Sequence, residues 1–403
     1  MQNHLALWFA ALFTFVGTPL LASTSLLREI QADELHLSIQ QKALSFQPSA
    51  FCDTKFSALT CEQQMNIWFS AIEDLFDNGA LEESREAAES LEWRELPRLQ
   101  KVLHYRLLRR TTPRSPQIEE IRRELLSSRG WGELSPAESH AFCRFVSPSF
   151  CPSRPGFTRT LPSRQVLKDL YQKWVNLRPV AGGRYAEAPR VYIFCRADRV
   201  YPCRALVKDK SGKPLRGSDG QLWSQPILAY SRHQKNFDEP GGDTPGGVHL
   251  VDGVMPAADQ TELFGRFRRL ILGFVPKSQG EANQKKFLPA SSQNHSWWRE
   301  GVVARDLGRA HLRVHGVGRV NHDRSKPYYG YFGTSGCMEN RENVYDGVTY
   351  IDQRHFLDAV MKAMGKTPSF ANEPSIRAVL YLVTLDDEKR AVTAQDLSFL
   401  QSR

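Results

Sequence analysis

Near residue 188 the hydrophobic period of this 403-residue chain changes, and that change limits the fold more than any other feature. Before it, apolar residues recur at three- and four-residue intervals. Met65, Trp68, Phe69, Ile72, Leu75 and Phe76 share one helical face, as do Ile118, Ile121 and Leu125, and further on Val166, Leu167, Leu170 and Trp174. After it, short runs rich in Val, Ile and Leu read as strands, as at 191–194, 200–207, 226–230, 269–274 and 376–385. Helices followed by strands predict an α+β chain: an all-helical unit over residues 24–183, a strand-rich unit over 184–392 and a tail over 393–403.

Local punctuation supports this division. Thr60-Cys61-Glu62-Gln63 is a capping box, and Asn78-Gly79 ends the helix that it opens. Ser115-Pro116 and Ser135-Pro136 pair a cap with a proline at the first helical position. Asp352 is expected to cap a late helix carrying Phe356, Val360 and Met364. Residues 276–300 are polar and irregular, and end in Trp297-Trp298, read as a buried anchor, with glycan contact as the alternative.

Seven cysteines bear on the compartment. Cys52 and Cys61, Cys143 and Cys151, and Cys195 and Cys203 form three close pairs, and Cys337 is left over. Six cysteines allow fifteen pairings, but pairing between neighbours needs the fewest assumptions and suits an oxidising compartment. Residues 5–16 are nearly all apolar and small residues follow at Ala22 and Ser23, the layout of a secretory signal over 1–23. An uncleaved anchor is the rival, since residues 5–22 are long enough to span a bilayer; no other stretch is. The net charge of +9 favours an anionic partner. No basic run interleaved with aromatics points to nucleic acid, whereas the acidic polymers of a bacterial envelope fit.

Residues 311–343 carry the chemistry. Leu312 and Val314 point one way along a strand, and His311, Arg313 and His315 the other. Gly316 to Gly318 end the strand, and twenty-two residues after His315 a Thr334-Ser335-Gly336-Cys337 turn presents a thiol. A histidine at a strand end and a cysteine on a glycine-tight turn suit nucleophilic thiol catalysis. The imidazole takes the proton, and backbone N–H groups around Ser335 and Gly336 hold an oxyanion. A buried structural cysteine, or a zinc set of His311, His315, His322 and Cys337, are the competing readings; the strand alternation argues against the zinc set. His311 and His322 are given no catalytic part. Tyr328, Tyr329, Tyr331 and Phe332 lead into that turn and are read as walls or a gate of the cleft, with Gly330 and Gly333 as hinges, ordinary packing being the alternative.

His315-Gly316 followed by Thr334-Ser335-Gly336-Cys337 resembles the signature of the L,D-transpeptidases of bacterial cell walls, the YkuD-type catalytic domain. A Thr-Pro-x-Gly turn entering a strand is a second element of that family, matched by Thr244-Pro245-Gly246-Gly247 before Val248-His249-Leu250. The chain departs at Ser335, where many members have His, and at Glu339, where Arg or Asn is frequent and a carboxylate would repel an anionic substrate group. The resemblance implies a β-sandwich-like catalytic domain that needs no cofactor or metal. Its reaction would be acyl transfer on peptidoglycan stem peptides in the periplasm or cell wall, with Cys337 as nucleophile and His315 as base. Gly316, Thr334, Tyr331, Glu339 and His249 are then the candidate substrate contacts. Hydrolysis by the same site, as an L,D-carboxypeptidase, and a non-catalytic wall-binding scaffold are the alternatives. The helical unit is assigned the positioning of the enzyme or the docking of an envelope protein.

Overall fold

The computed structural model describes residues 24–43, 52–127, 135–147, 161–180, 183–277 and 280–401. The expected signal and Cys151, and with it the Cys143–Cys151 pairing, lie outside the described residues.

Six helices come first: α1 (Thr24–Gln41), α2 (Cys61–Asp77), α3 (Leu81–Glu89), α4 (Arg98–Thr111), α5 (Gln117–Ser127) and α6 (Pro136–Ala141). The capping box forms at the start of α2: the Gln63 N–H donates to Thr60 Oγ1 (3.2 Å), and the Thr60 N–H donates to Gln63 Oε1 (2.9 Å). Such a cap contributes about 1 kcal/mol. The apolar faces meet in one core around Trp68, Ile72, Leu107 and Phe142. The next helix, α7 (Arg164–Gln172), packs elsewhere, because Leu167, Leu170 and Tyr171 join the core beneath the sheet. In packing terms it goes with the strands, although the expected boundary at 183 lies after it. An apolar stripe marks a face for burial and carries no information about the partner.

The strand-rich part runs β1 (Arg190–Arg196), β2 (Cys203–Lys208), β3 (Ser224–Ile227), β4 (Gly247–Val254), α8 (Thr261–Phe264), β5 (Leu270–Phe274), α9 (Gly280–Lys285), α10 (Ala290–Gln293), α11 (Arg299–Asp306), β6 (Leu312–His315), β7 (Met338–Glu339), β8 (Glu342–Tyr345), β9 (Val348–Ile351), α12 (Asp352–Ala363) and β10 (Ala378–Asp386). Eight strands form one sheet in the order β3-β2-β1-β10-β4-β5-β6-β7, with β8 and β9 as a separate hairpin. The β1–β10 and β6–β7 pairs are parallel and the other pairs in the sheet antiparallel.

The sheet curls until its two ends meet. Just past β3, the Leu228 N–H donates to Glu339 O (2.9 Å) and the Glu339 N–H to Leu228 O (2.8 Å). This architecture is α+β, but it corrects the expectation of a sandwich: one nearly closed sheet takes the place of two facing ones. Pairing its own edges removes the unpaired N–H and C=O groups that an open sheet exposes.

Each face of the sheet has its own cover. Val191, Ile193 and Cys195 alternate with Tyr192 and Phe194 along β1. The first set packs with Phe356 and Val360 of α12, the second with α7, Trp297 and Trp298. Both tryptophans are buried, and Trp298 Nε1 donates to Ser292 O (3.1 Å), as the anchor reading requires. Leu397 and Leu400 of the tail join the same core. Cys195–Cys203 bridges β1 to β2, Cys52–Cys61 closes the loop before α2, and Cys337 is free. Asp352 is the first residue of α12, one past the cap position, and its carboxylate accepts from Arg341 Nε (2.7 Å). Among the described residues no helix is long and apolar enough to cross a membrane.

Candidate active site

The helices and the sheet enclose a cavity of about 520 Å³ between them. β6 and β7 form its floor. Leu312 and Val314 turn into the core, while Arg313 and His315 line the cavity, as the alternation predicts. Across the parallel pair, Val314 aligns with Met338 and His315 with Glu339. Cys337 precedes Met338, so it shares the cavity face with His315 and Glu339. Thr334 and Ser335 complete that wall, and α1 and α2 supply the opposite one with Asp33, His36, Asn66, Ser70 and Asp74.

A local hydrogen-bond cage shapes the nucleophile turn. The Thr334 hydroxyl donates to Cys337 O (2.6 Å) and accepts from the Gly336 N–H (3.2 Å). The Gly336 amide is thereby occupied, so the oxyanion donors expected from the turn do not include it. Thr244 Oγ1 donates to Gly336 O (2.9 Å), which ties the Thr-Pro-Gly-Gly element to the cysteine turn across 92 residues. Arg309 reaches behind both, donating to Asp243 O (2.7 Å) and Gly242 O (2.8 Å). Gly336 has φ 106°, a backbone region that disfavours any side chain.

The electrostatics of the two central groups oppose one another. Burial pushes the Cys337 thiol up, and Arg313 and Arg269 pull it back toward the thiolate. The thiol donates to the carbonyl of His311 (3.6 Å). Burial also lowers His315 to about 4, so its imidazole is neutral at pH 7. Its Nδ1 donates to Gly316 O (2.5 Å), and its Nε2 is buried without a hydrogen-bond partner. Phe264 packs edge-on at 5.0 Å and holds the ring plane.

Other expected contacts take different places. Glu339 lines the cavity but is 1% exposed, and it accepts from the N–H groups of Phe332 (2.8 Å) and Gly333 (3.0 Å). Its carboxyl is raised to about 7 by burial, so it anchors the loop before the nucleophile more than it repels a ligand. His249 is fully buried in β4, donates from Nε2 to Pro245 O (2.9 Å) and lies against Phe274, away from the cavity wall. The position after the turn is legible in the sequence, but its partner in the sheet is not. Tyr331 is buried beside Arg341, off the cavity wall, so Phe332 and Gly333 are the members of that loop that line it. Gly316 packs its backbone against Glu342, where a side chain would collide. His322 is exposed and lies outside the cavity.

Three groups at the site go beyond the expected set. Arg313 stood in the alternation with His311 and His315, so its direction was legible. Asp33 carried no signal: on α1, it accepts from His311 Nδ1 (3.1 Å) and Arg313 Nη2 (3.2 Å). Burial alone would raise the Asp33 carboxyl, but Arg313, His311 and Arg269 together hold it well below the usual carboxylate range. His36 pairs with Asp74 (3.3 Å), and its ring lies 5.9 Å from that of His311. Comparison of the chain with protein-family models, with curated proteins and with solved structures finds no match.

Proposed function

We propose that the protein is a cysteine acyltransferase acting on peptidoglycan stem peptides, an L,D-transpeptidase with Cys337 as nucleophile and His315 as base. The observation that carries the reading is the cavity face shared by His315, at the end of β6, and Cys337, just before the parallel strand β7, with the imidazole neutral and one nitrogen unpartnered. A neutral imidazole is the form that accepts a proton.

The thiol proton passes to His315 as sulfur attacks the carbonyl carbon before the terminal D-alanine. The tetrahedral intermediate collapses, the C–N bond breaks, and D-alanine leaves with the proton from His315. A thioester remains on Cys337. An amine from a second stem peptide, a free D-amino acid or a protein then takes the acyl group and restores the thiol. If water takes it, the same residues perform L,D-carboxypeptidase hydrolysis. Arg319, exposed at the cavity wall and 5.4 Å from the Phe332 ring, and Arg232, elsewhere on that wall, supply cationic groups for stem-peptide carboxylates. The two described disulfides suit an exported enzyme.

The upward push of burial on the Cys337 thiol favours one rival, a scaffold that binds wall polymer without turnover. Purified tetrapeptide muropeptides incubated with wild type and Cys337→Ala separate the readings by mass spectrometry. Release of D-alanine by wild type alone supports the enzyme, and the product identifies cross-linking, exchange or hydrolysis. Silence from folded wild type sinks the acyl-transfer reading.

A further inference from the structure

The cavity holds a second imidazole that this scheme leaves unused. His311 precedes β6 with φ 59°, the left-handed region that few non-glycine residues occupy. Its carbonyl accepts from the Cys337 thiol, so its backbone sits against the nucleophile. Its Nδ1 donates to Asp33, which comes from the opposite wall of the cavity. Nε2 is then the nitrogen with the free lone pair, and it is buried without a hydrogen-bond partner. His311 also stands where two cavities adjoin. The second, of about 600 Å³, runs along α1 and the Gly308–His311 segment and does not reach His315. Acyl transfer takes its two substrates one after the other, and the second has to approach a thioester that the first has just formed.

We propose that His311, oriented by Asp33 of the helical unit, is the base that deprotonates the acceptor, leaving His315 to the formation of the acyl-enzyme. The inference rests on the acyl-transfer reading above. The acceptor nitrogen gives its proton to His311 Nε2 as its lone pair forms the C–N bond. The C–S bond breaks, Cys337 departs as a thiolate, and the proton on His311 returns to that sulfur. With water as acceptor the same transfer yields a carboxylic acid. Asp33 is a positioning residue: it fixes the ring and stabilises the imidazolium formed in the step. The charged groups around His311 are Asp33, His36 and, through Arg313, Glu29 from α1, Arg309 and Arg313 on its own segment, Arg269 ahead of β5, and Cys337. The helical unit thus completes the site as well as covering it.

The test follows D-alanine release and the intact mass of the protein with tetrapeptide muropeptide as donor and amine acceptor. His311→Asn is the variant, because Asn tolerates a left-handed backbone. It is expected to release about one equivalent of D-alanine, accumulate the acyl adduct and turn over roughly 10²-fold more slowly than wild type. His315→Ala forms no adduct. Asp33→Asn slows the acceptor step and moves the acid limb of its pH profile to lower pH, because the imidazolium loses its anion. A purely structural Asp33 would leave that limb in place. Wild-type turnover in His311→Asn, or loss of the adduct as in His315→Ala, overturns the proposal. If His311→Asn unfolds on heating far below wild type, the Asp33→Asn profile decides: a shifted limb supports the dyad and an unshifted one overturns it. If wild type itself neither releases D-alanine nor forms adduct, the acyl-transfer reading falls and this proposal with it, a failure seen in a different sample.

Discussion

Arg313 lies beside Cys337 across the β6–β7 pair, and the same guanidinium is held by Glu29 (2.8 Å) and Asp33 (3.2 Å) of the first helix. The cation that most favours the thiolate is also one of the ties that seat the helical unit on the sheet. Arg313→Met is expected to raise the thiol pKa further, which the pH dependence of iodoacetamide alkylation reads directly. Loss of its hydrogen bonds to two carboxylates is expected to destabilise the fold by about 1–3 kcal/mol. Arg313→Lys, which keeps the charge, should restore part of the alkylation profile. An unchanged profile in Arg313→Met would remove the guanidinium from the account of the nucleophile.

Glu339 imposes a pH slope on stability. Its folded value of about 7 lies above its ordinary 4.5. Its favourable contribution is therefore complete below about 4.5 and is lost as pH rises through about 7. Denaturant unfolding from pH 4.5 to 8 is expected to show this loss in the difference between wild type and Glu339→Gln, whose amide carbonyl still accepts from Phe332 or Gly333. Parallel curves for the two proteins would contradict it.

Three buried histidines slope the other way over nearly the same range. His104, His249 and His315 are each lowered by burial from 6.5 to about 4. A depressed value means their contribution is complete above about 6.5 and is lost as pH falls through about 4. The protein is expected to unfold in acid over that window, and His249→Gln to flatten the limb. Resonances of these three imidazoles titrating near 6.5 in the folded protein would refute the assignment.

Gly336 tests the geometry of the turn. A Cβ there would press on the Arg309 guanidinium and lie 2.9 Å from Gly242 O, at a φ that L-residues avoid. Gly336→Ala is expected to lose about 1–3 kcal/mol of stability and to slow D-alanine release more than its stability loss explains. Thermal unfolding and the release assay, run on the same sample, separate the two effects.

The Cys195–Cys203 bridge closes a short loop and contributes about 2–3 kcal/mol. A Cys195→Ala, Cys203→Ala double variant is expected to unfold at correspondingly lower denaturant, while Cys337 stays free and reactive. No change in midpoint would show that strand pairing alone holds β1 to β2.

By itself the sequence determined what depends on neighbours, such as the capping box of Thr60 and Gln63, three residues apart; it favoured the Cys195–Cys203 bridge, eight apart, among fifteen pairings, and the structure settled it. The in-and-out alternation of residues 312–315 and the glycine-tight turn before Cys337 belong with these, since each is set by side-chain direction and backbone permission within a few residues. Amphipathic spacing likewise marked the faces to be buried, including those of α2 and α12. Tertiary structure decided which surfaces meet. Closure of the sheet through Leu228 and Glu339, the inward turn of Glu339 and the burial of His249 between β10 and β5 all depend on which strands pair. So does the arrival of Asp33 at His311, 278 residues along the chain. Contacts over such separations leave no period or spacing in the sequence, because they are selected by how whole faces pack and not by the order of residues along one strand or helix.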